Sequence, residues 1–238
     1  KPLRILVAGG GTGDGLVMLA QQCADRNISA EITYLDLSPT SREIAEARIK
    51  IRKLSSVVFT TGSLLEVQRL APGPYDYIDC CGVLHHLPNP AQGLAALGAV
   101  LAPHGGMGLM VYAPYGRSGV YPLQSALRRI APYKTLPESE RVDIAERLAS
   151  TLPASSLLRR NPLVRDHIDG GDPGIYDLLL HAQDQAFTIE DLSRLVTDAG
   201  YKITAFIDPA RYDPLHYVND PRIRKHITNL NFIEKAAL

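Results

Sequence analysis

The sequence has no tryptophan, only four phenylalanines, three cysteines and no surplus of charge of either sign. Each shortage removes a class of protein. Lys and Arg together number 25, as do Asp and Glu. Beyond a local patch, that balance argues against bulk nucleic acid as a partner. The cysteines are Cys23, Cys80 and Cys81. An odd number, with an adjacent pair inside an apolar run, reads as reduced buried thiols in a cytoplasmic protein. No Cys/His spacing matches a zinc site, so no metal is expected. No apolar run is long enough to span a bilayer, and no membrane partner is expected. No signal sequence is visible. The chain opens on Lys1, and Leu3 already falls in the first expected strand. A longer native polypeptide with an upstream region is therefore expected.

What the chain has is an alternation of strand and helix patterns. Strands are expected at Leu3–Ala8, Ala30–Asp36, Val57–Thr61, Tyr75–Cys81 and Gly105–Tyr112. Helices are expected at Gly15–Arg26, Pro39–Leu54 and Pro90–Leu101, with Ser38 and Pro39 as cap and first residue of the second. Repeated βα units of this kind imply an α/β, doubly wound, mostly parallel sheet. The pattern breaks from Ala113 to Gln185, where Pro and Gly interrupt helical pieces near Leu123–Ile130 and Glu138–Leu152. That stretch reads as an inserted helical cap, too broken to own a large core. A helix Ile189–Ala199, capped by Thr188 and ended by Gly200, and a strand Tyr201–Ile207 then resume the pattern. Arg222–Leu238 looks helical. The expected division is a core of residues 1–112 and 186–238, and a lid of residues 113–185.

The first strand ends in Gly9-Gly10-Gly11-Thr12-Gly13. Glycine lets the backbone take positive φ and approach a ligand closely. The helix start that follows adds unpaired N–H groups suited to an anion. The dinucleotide fingerprint needs glycines at positions one, three and six, and no register here supplies them. No Gly-Lys-Ser/Thr follows, so a P-loop fails too. Glycines do stand at one, three and five: Gly9, Gly11 and Gly13. A turn that binds nothing is the plain alternative. Asp36 closes the second strand, where an acid can accept hydrogen bonds from ribose hydroxyls.

The glycine spacing resembles motif I of the class I S-adenosylmethionine-dependent methyltransferases. The stretch Cys80-Cys81-Gly82-Val83-Leu84-His85-His86-Leu87-Pro88-Asn89-Pro90 is similar to that family's motif after strand four, and Leu101-Ala102-Pro103-His104-Gly105-Gly106 to its entry into strand five. The resemblance covers residues 3–112, and more loosely 186–207. It implies a Rossmann-like methyltransferase fold with the helical insertion after strand five. It also implies S-adenosylmethionine as cofactor, held by Gly9, Gly10, Gly11, Thr12, Gly13, Asp36, Leu37, Ser63, Leu64, Cys81, Gly82 and His86. Ser63 stands where the family has an acid for the adenine amino group, and Leu64 is expected to pack on the ring. Val7 stands where the family has an acid two residues before the first glycine. The family's fold ends in an antiparallel strand seven beside strand five. Leu215–Val218 matches it poorly, so that strand is expected to be missing.

Of the residues with catalytic chemistry, His86, Tyr115 and His181 are the candidates. Histidine titrates near neutral pH and can serve as a base, although contact with cofactor or a capping role is the blander reading of His86. The insertion adds Tyr112, Arg117, Tyr121, His167, Tyr176 and Gln185 as further residues of acceptor-pocket type. The expected reaction is methyl transfer to a small molecule or a protein side chain. A non-catalytic protein of the same fold is the alternative.

Overall fold

Five runs form strands: β1 Leu3–Ala8, β2 Ala30–Asp36, β3 Val57–Thr61, β4 Tyr75–Cys81 and β5 Leu101–Met110. The computed structural model describes all residues, 1–238. The strands make one parallel sheet in the order β3-β2-β1-β4-β5. A purely parallel sheet needs cover on both faces, and the period-two alternation of β1 provides for it. Leu6 and Ala8 join Leu35, Ile78 and Cys80 on one face, packed with Leu64, Val67, Leu84 and Leu97. Ile5 and Val7 join Ile32 and Tyr34 on the other, under Leu16, Val17 and Ala20 of helix α1 (Asp14–Asp25) and Ala45 and Ile49 of helix α2 (Pro39–Ile51). Ser38 caps α2, its hydroxyl accepting the Ser41 N–H at 3.2 Å. Strand order reverses at β1 and β4, so the crevice at their C-terminal ends is the natural ligand position. This is the doubly wound, Rossmann-like arrangement expected from the sequence.

Three expectations need correction. The fifth strand begins at Leu101 rather than Gly105, because its start is bulged. Pairing steps from Tyr75↔Leu101 to Tyr77↔Gly106, and Pro103, which has no N–H to give a ladder, sits in the looped-out stretch. The segment Tyr201–Ile207 is not a strand. It lies across a cleft of about 610 Å³ from β5, lined by Gly106, Met107, Leu109, Val196, Ile203 and Phe206. Its alternation is right, but it has no ladder partner, and the outer edge of β5 stays unpaired. The tail is not one helix. It forms Pro221–Thr228 and Phe232–Ala237, divided where Asn231 starts the second helix with a capping box to Glu234.

The chain divides into two compact units, residues 1–111 with 188–238, and residues 112–187. The second unit has its own core, contrary to the reading that Pro and Gly break it too far. Its helix Val120–Ile130 buries Val120, Leu123, Gln124 and Leu127, a one-sided helical spacing. These pack with Val142 and Ala145 of the helix Glu138–Thr151 and with Leu178, Leu179 and Leu180. Phe187 N–H donates to Tyr112 O at 2.8 Å, tying the two ends of the unit together.

A buried polar centre accompanies that core. Arg117 Nη2 meets Asp184 Oδ2 at 2.7 Å, and the Asp184 side chain is fully buried. Gln124 Nε2 donates to the same carboxylate oxygen at 3.0 Å and to Leu178 O at 2.9 Å. The Arg117 guanidinium also lies 3.7 Å from the centre of the Tyr112 ring. Removing one partner of such a pair strands the other charge out of water. Asp184→Ala should therefore cost about 3–5 kcal/mol in urea unfolding of this unit. A loss below about 1 kcal/mol would show that the pair is solvated.

Candidate functional site

The site begins at the end of β1. Gly9 and Gly10 N–H both donate to Leu35 O, at 2.7 and 3.2 Å, so the turn leaves the sheet fastened to β2. Asp36 then reaches back: its Oδ2 accepts the Gly11 N–H at 2.7 Å, and its Oδ1 accepts the Ser38 N–H at 2.8 Å. Tyr34 OH donates to Gly11 O at 2.6 Å. Burial first, and Asp36 next, push that phenol well above its ordinary pKa, so it stays a donor. Gly11 has φ +50°, and a Cβ built there would meet nothing within 4 Å. The turn is thus rigid below and open above. Gly10 is required for packing, since a Cβ would strike the Tyr34 ring. Gly13 is the N-cap of α1 and brings no side-chain cap, so the helix's first N–H groups receive no side-chain acceptor there. Arg48 braces the far side, donating to Thr12 O at 2.9 Å and pairing with Asp14.

These features fit an adenosyl amino acid. Each Asp36 oxygen has one lone pair used by the backbone and another left for a ribose hydroxyl. Leu37, next to it, is 73% exposed and presents an apolar surface. Ser63 starts the turn after β3, its hydroxyl accepting the Leu65 N–H at 3.2 Å. Leu64, expected to pack on the adenine ring, is instead turned into the core. It is 6% exposed and belongs to the core with Val67 and Leu84. The exposed leucine of that turn is Leu65. The turn's geometry rotates the first leucine inward and the second outward, which a two-residue pattern does not reveal.

At the end of β4, Gly82 takes φ +80° and donates its N–H to Met110 O at 3.1 Å. His85 is fully buried and His86 half-buried, with their Nε2 atoms 3.1 Å apart. One nitrogen must carry the proton and the other must accept it, so the pair orients both rings. Cys80 is buried, but Cys81 is exposed, which corrects the reading of two buried thiols. Its Sγ donates to Asp79 Oδ1 at 3.4 Å.

Tyr115 and His181 belong to residues 112–187. Tyr115 is 78% exposed. His181 Nδ1 accepts the Gln183 N–H at 3.2 Å. Tyr112, Arg117 and Tyr121, which have pocket-type chemistry, are committed to the buried centre around Asp184. Burial and then Asp177 raise the Tyr112 phenol to about 12, and its OH donates to Asp177 Oδ2 at 3.4 Å. Sequence reasoning missed Tyr34 and Arg48 at the turn and Asp184 and Gln124 in the insertion. Tyr34 is two residues before Asp36 and therefore on the same face of β2, a signal that was available. The others act across long separations.

Burial and the neighbouring Asp79 raise the Cys81 thiol to about 12. Alkylation proceeds through the thiolate. Despite its exposure, Cys81 should react with iodoacetamide at pH 8 more slowly than an ordinary cysteine thiol, and faster as pH rises toward 10. Peptide mass spectrometry over a time course measures this, and rapid labelling at pH 8 would contradict the assigned hydrogen bond.

A methyltransferase-domain family model matches residues 6–107. An uncharacterized protein of Synechococcus sp. is 35% identical over 213 residues, covering 89% of this chain and 50% of that protein. The ubiquinone biosynthesis O-methyltransferase of Bordetella pertussis is 32% identical over 98 residues, covering 40% of this chain and 37% of that one. The chain spans half or less of the length of these curated relatives. In fold, it is similar to PKMT2 from Rickettsia typhi, solved in complex with AdoHcy. The TM-score is 0.69 at 16% identity, over 99% of this chain and 46% of that one. At that identity the likeness speaks for the fold. With the glycine turn, the strand order and the family match together, residues 6–107 are a methyltransferase domain on a Rossmann-like sheet.

Proposed function

We propose that the chain binds S-adenosylmethionine on the glycine turn and directs its methyl group to a small-molecule or protein acceptor. The observation that carries this is the open Gly11 backbone at positive φ, fixed to Asp36 from below. In this reading Gly9, Gly10, Gly11, Thr12 and Gly13 receive the amino-acid end, and Asp36 binds the ribose hydroxyls. Leu37 and Leu65 flank the base, and the Ser63 hydroxyl takes its amino group. Cys81, Gly82 and His86 form the wall at the end of β4. When bound, the cofactor supplies a methyl group on a positively charged sulfur, which leaves as a neutral thioether.

The chain's own work is then orientation. An acceptor atom held in line, about 3 Å from the methyl, gains most of the available rate from positioning. An O–H or N–H acceptor must also lose a proton. His86 and His181 have the chemistry to take it, and Tyr115 can position or accept a hydrogen bond. The His85 contact favours an orienting role for His86. Residues 113–185 would serve as the lid that excludes water and selects the acceptor. No helix is long and apolar enough to cross a membrane. We assign the protein to the cytoplasm on its reduced cysteines.

Calorimetry with S-adenosylhomocysteine tests the site. Wild type should bind, and Asp36→Ala should lose about 1.5–3 kcal/mol, the range for hydrogen bonds to a charged group. An unchanged affinity would remove Asp36 from the ribose. Transfer of labelled methyl to supplied acceptors then separates an enzyme from a non-catalytic binder: binding with no turnover on any acceptor class favours the latter.

A further inference from the structure

Two locally unfavourable choices face each other beneath the glycine turn. The first is Asp79, in the middle of the sheet on β4 and only 8% exposed. None of the structure's ion pairs includes it, and burial raises its pKa above the ordinary carboxylate value. Its Oδ1 accepts long hydrogen bonds from Tyr77 OH and Cys81 Sγ, both at 3.4 Å. Its Oδ2 accepts no hydrogen bond and is not fully sealed from solvent. The second is Gly15, in the first turn of α1. Glycine inside a helix is less stable than alanine. Here a Cβ would sit 2.9 Å from Asp79 Oδ2. The helix gives up its side chain so that the carboxylate can stand at its first turn, directly below the turn formed by Gly9–Gly13.

The register explains the placement. Val7 on β1 pairs with Asp79 on β4. Tyr77, two residues before Asp79, packs in the same cluster as Val7, so the Asp79 side chain shares that face. An anionic oxygen thus lies one strand over from Val7, two residues below the first glycine of the turn. An uncompensated acid costs stability in this position, and strained or uncompensated choices of this kind concentrate where function requires them. The ligand proposed for the turn carries one cation besides its sulfonium, the α-ammonium of its amino-acid end.

We propose that Asp79 receives this ammonium, directly or through one water, and so sets the preference of the site for an adenosyl amino acid over an adenosyl thioether that lacks it. Asp79 is thus a binding residue supplied by β4 to a turn built by β1. The assignment rests on the cofactor reading given above.

Calorimetry on wild type and Asp79→Asn with three ligands tests it: S-adenosylhomocysteine, its analogue lacking the amino group, and 5′-methylthioadenosine. Wild type should bind S-adenosylhomocysteine about tenfold or more tightly than the des-amino analogue, as a charged hydrogen bond implies. In Asp79→Asn that ratio should collapse towards one, with 5′-methylthioadenosine affinity unchanged. The variant's melting temperature should equal or exceed that of wild type, because an uncompensated buried charge is removed. Equal weakening of all three ligands, or an unchanged ratio, overturns the ammonium assignment and leaves the cofactor reading standing. No binding of S-adenosylhomocysteine by wild type overturns both. Should Asp79→Asn fail to fold, Asp79 is structural and the proposal falls. Equal affinity of wild type for S-adenosylhomocysteine and the des-amino analogue overturns it without any variant.

Discussion

The hydrogen bond from Gly11 N–H to Asp36 Oδ2, 2.7 Å long, is the constraint on which the site depends. It spans two strands that are already paired from Leu3↔Ala30 to Ala8↔Leu35. The same two strand ends are joined by the bonds of Gly9 and Gly10 to Leu35 O and by Tyr34 OH to Gly11 O. A glycine-rich turn left to itself is the most entropically expensive backbone to order. Here that cost is met during folding, by β2, before any ligand arrives. The space beside the Gly11 Cα is open. A ligand there meets a preformed surface, and little of its binding free energy is spent on ordering the loop.

This arrangement also separates two uses of one carboxylate. Asp36 is a structural acceptor for two backbone N–H groups and still has lone pairs to offer. A neutral amide could accept those bonds but would do so more weakly. Position and charge are therefore both needed, and neither role alone would demand an acid. Arg48 performs a comparable double task from α2, since one guanidinium nitrogen holds Thr12 O while another neutralises Asp14. The turn is held from β2 and from α2, which themselves pack together through Tyr34, Ala45 and Ile49.

Four of the five strands stood in the sequence with the bounds they have in the fold, because each is a short β-branched or aromatic run ended by a turn. The fifth was displaced by Pro103, whose effect depends on which β4 residue lies opposite. Tyr201–Ile207 failed for the opposite reason: its local pattern is that of a strand, but strand formation requires a partner at hydrogen-bonding distance. In the site, the glycines and Asp36 were legible because their chemistry is tied to short spacing. The inward turn of Leu64 was hidden, because inward and outward positions of a 3₁₀ turn are not distinguished by composition. Asp79 was invisible as a site residue. Its meaning comes from Val7 and Gly15, one a neighbour across the sheet and the other in the covering helix.

The insertion changes how the acceptor question should be framed. Tyr112, Arg117 and Tyr121 have the residue types expected of a mixed polar pocket, and composition alone would place them there. Their chemistry is instead consumed internally. Arg117 pairs with a fully buried Asp184 and lies over the Tyr112 ring, while Gln124 closes the same centre. A unit of this size that buries an ion pair among Leu and Val side chains gains little net stability from it. Any repacking that separates the charges is nevertheless heavily penalised. Outside that centre, Tyr115 is the most exposed aromatic of the unit. The polar centre sits inside the unit's apolar core, and the side chains outside it are displayed on that one packing.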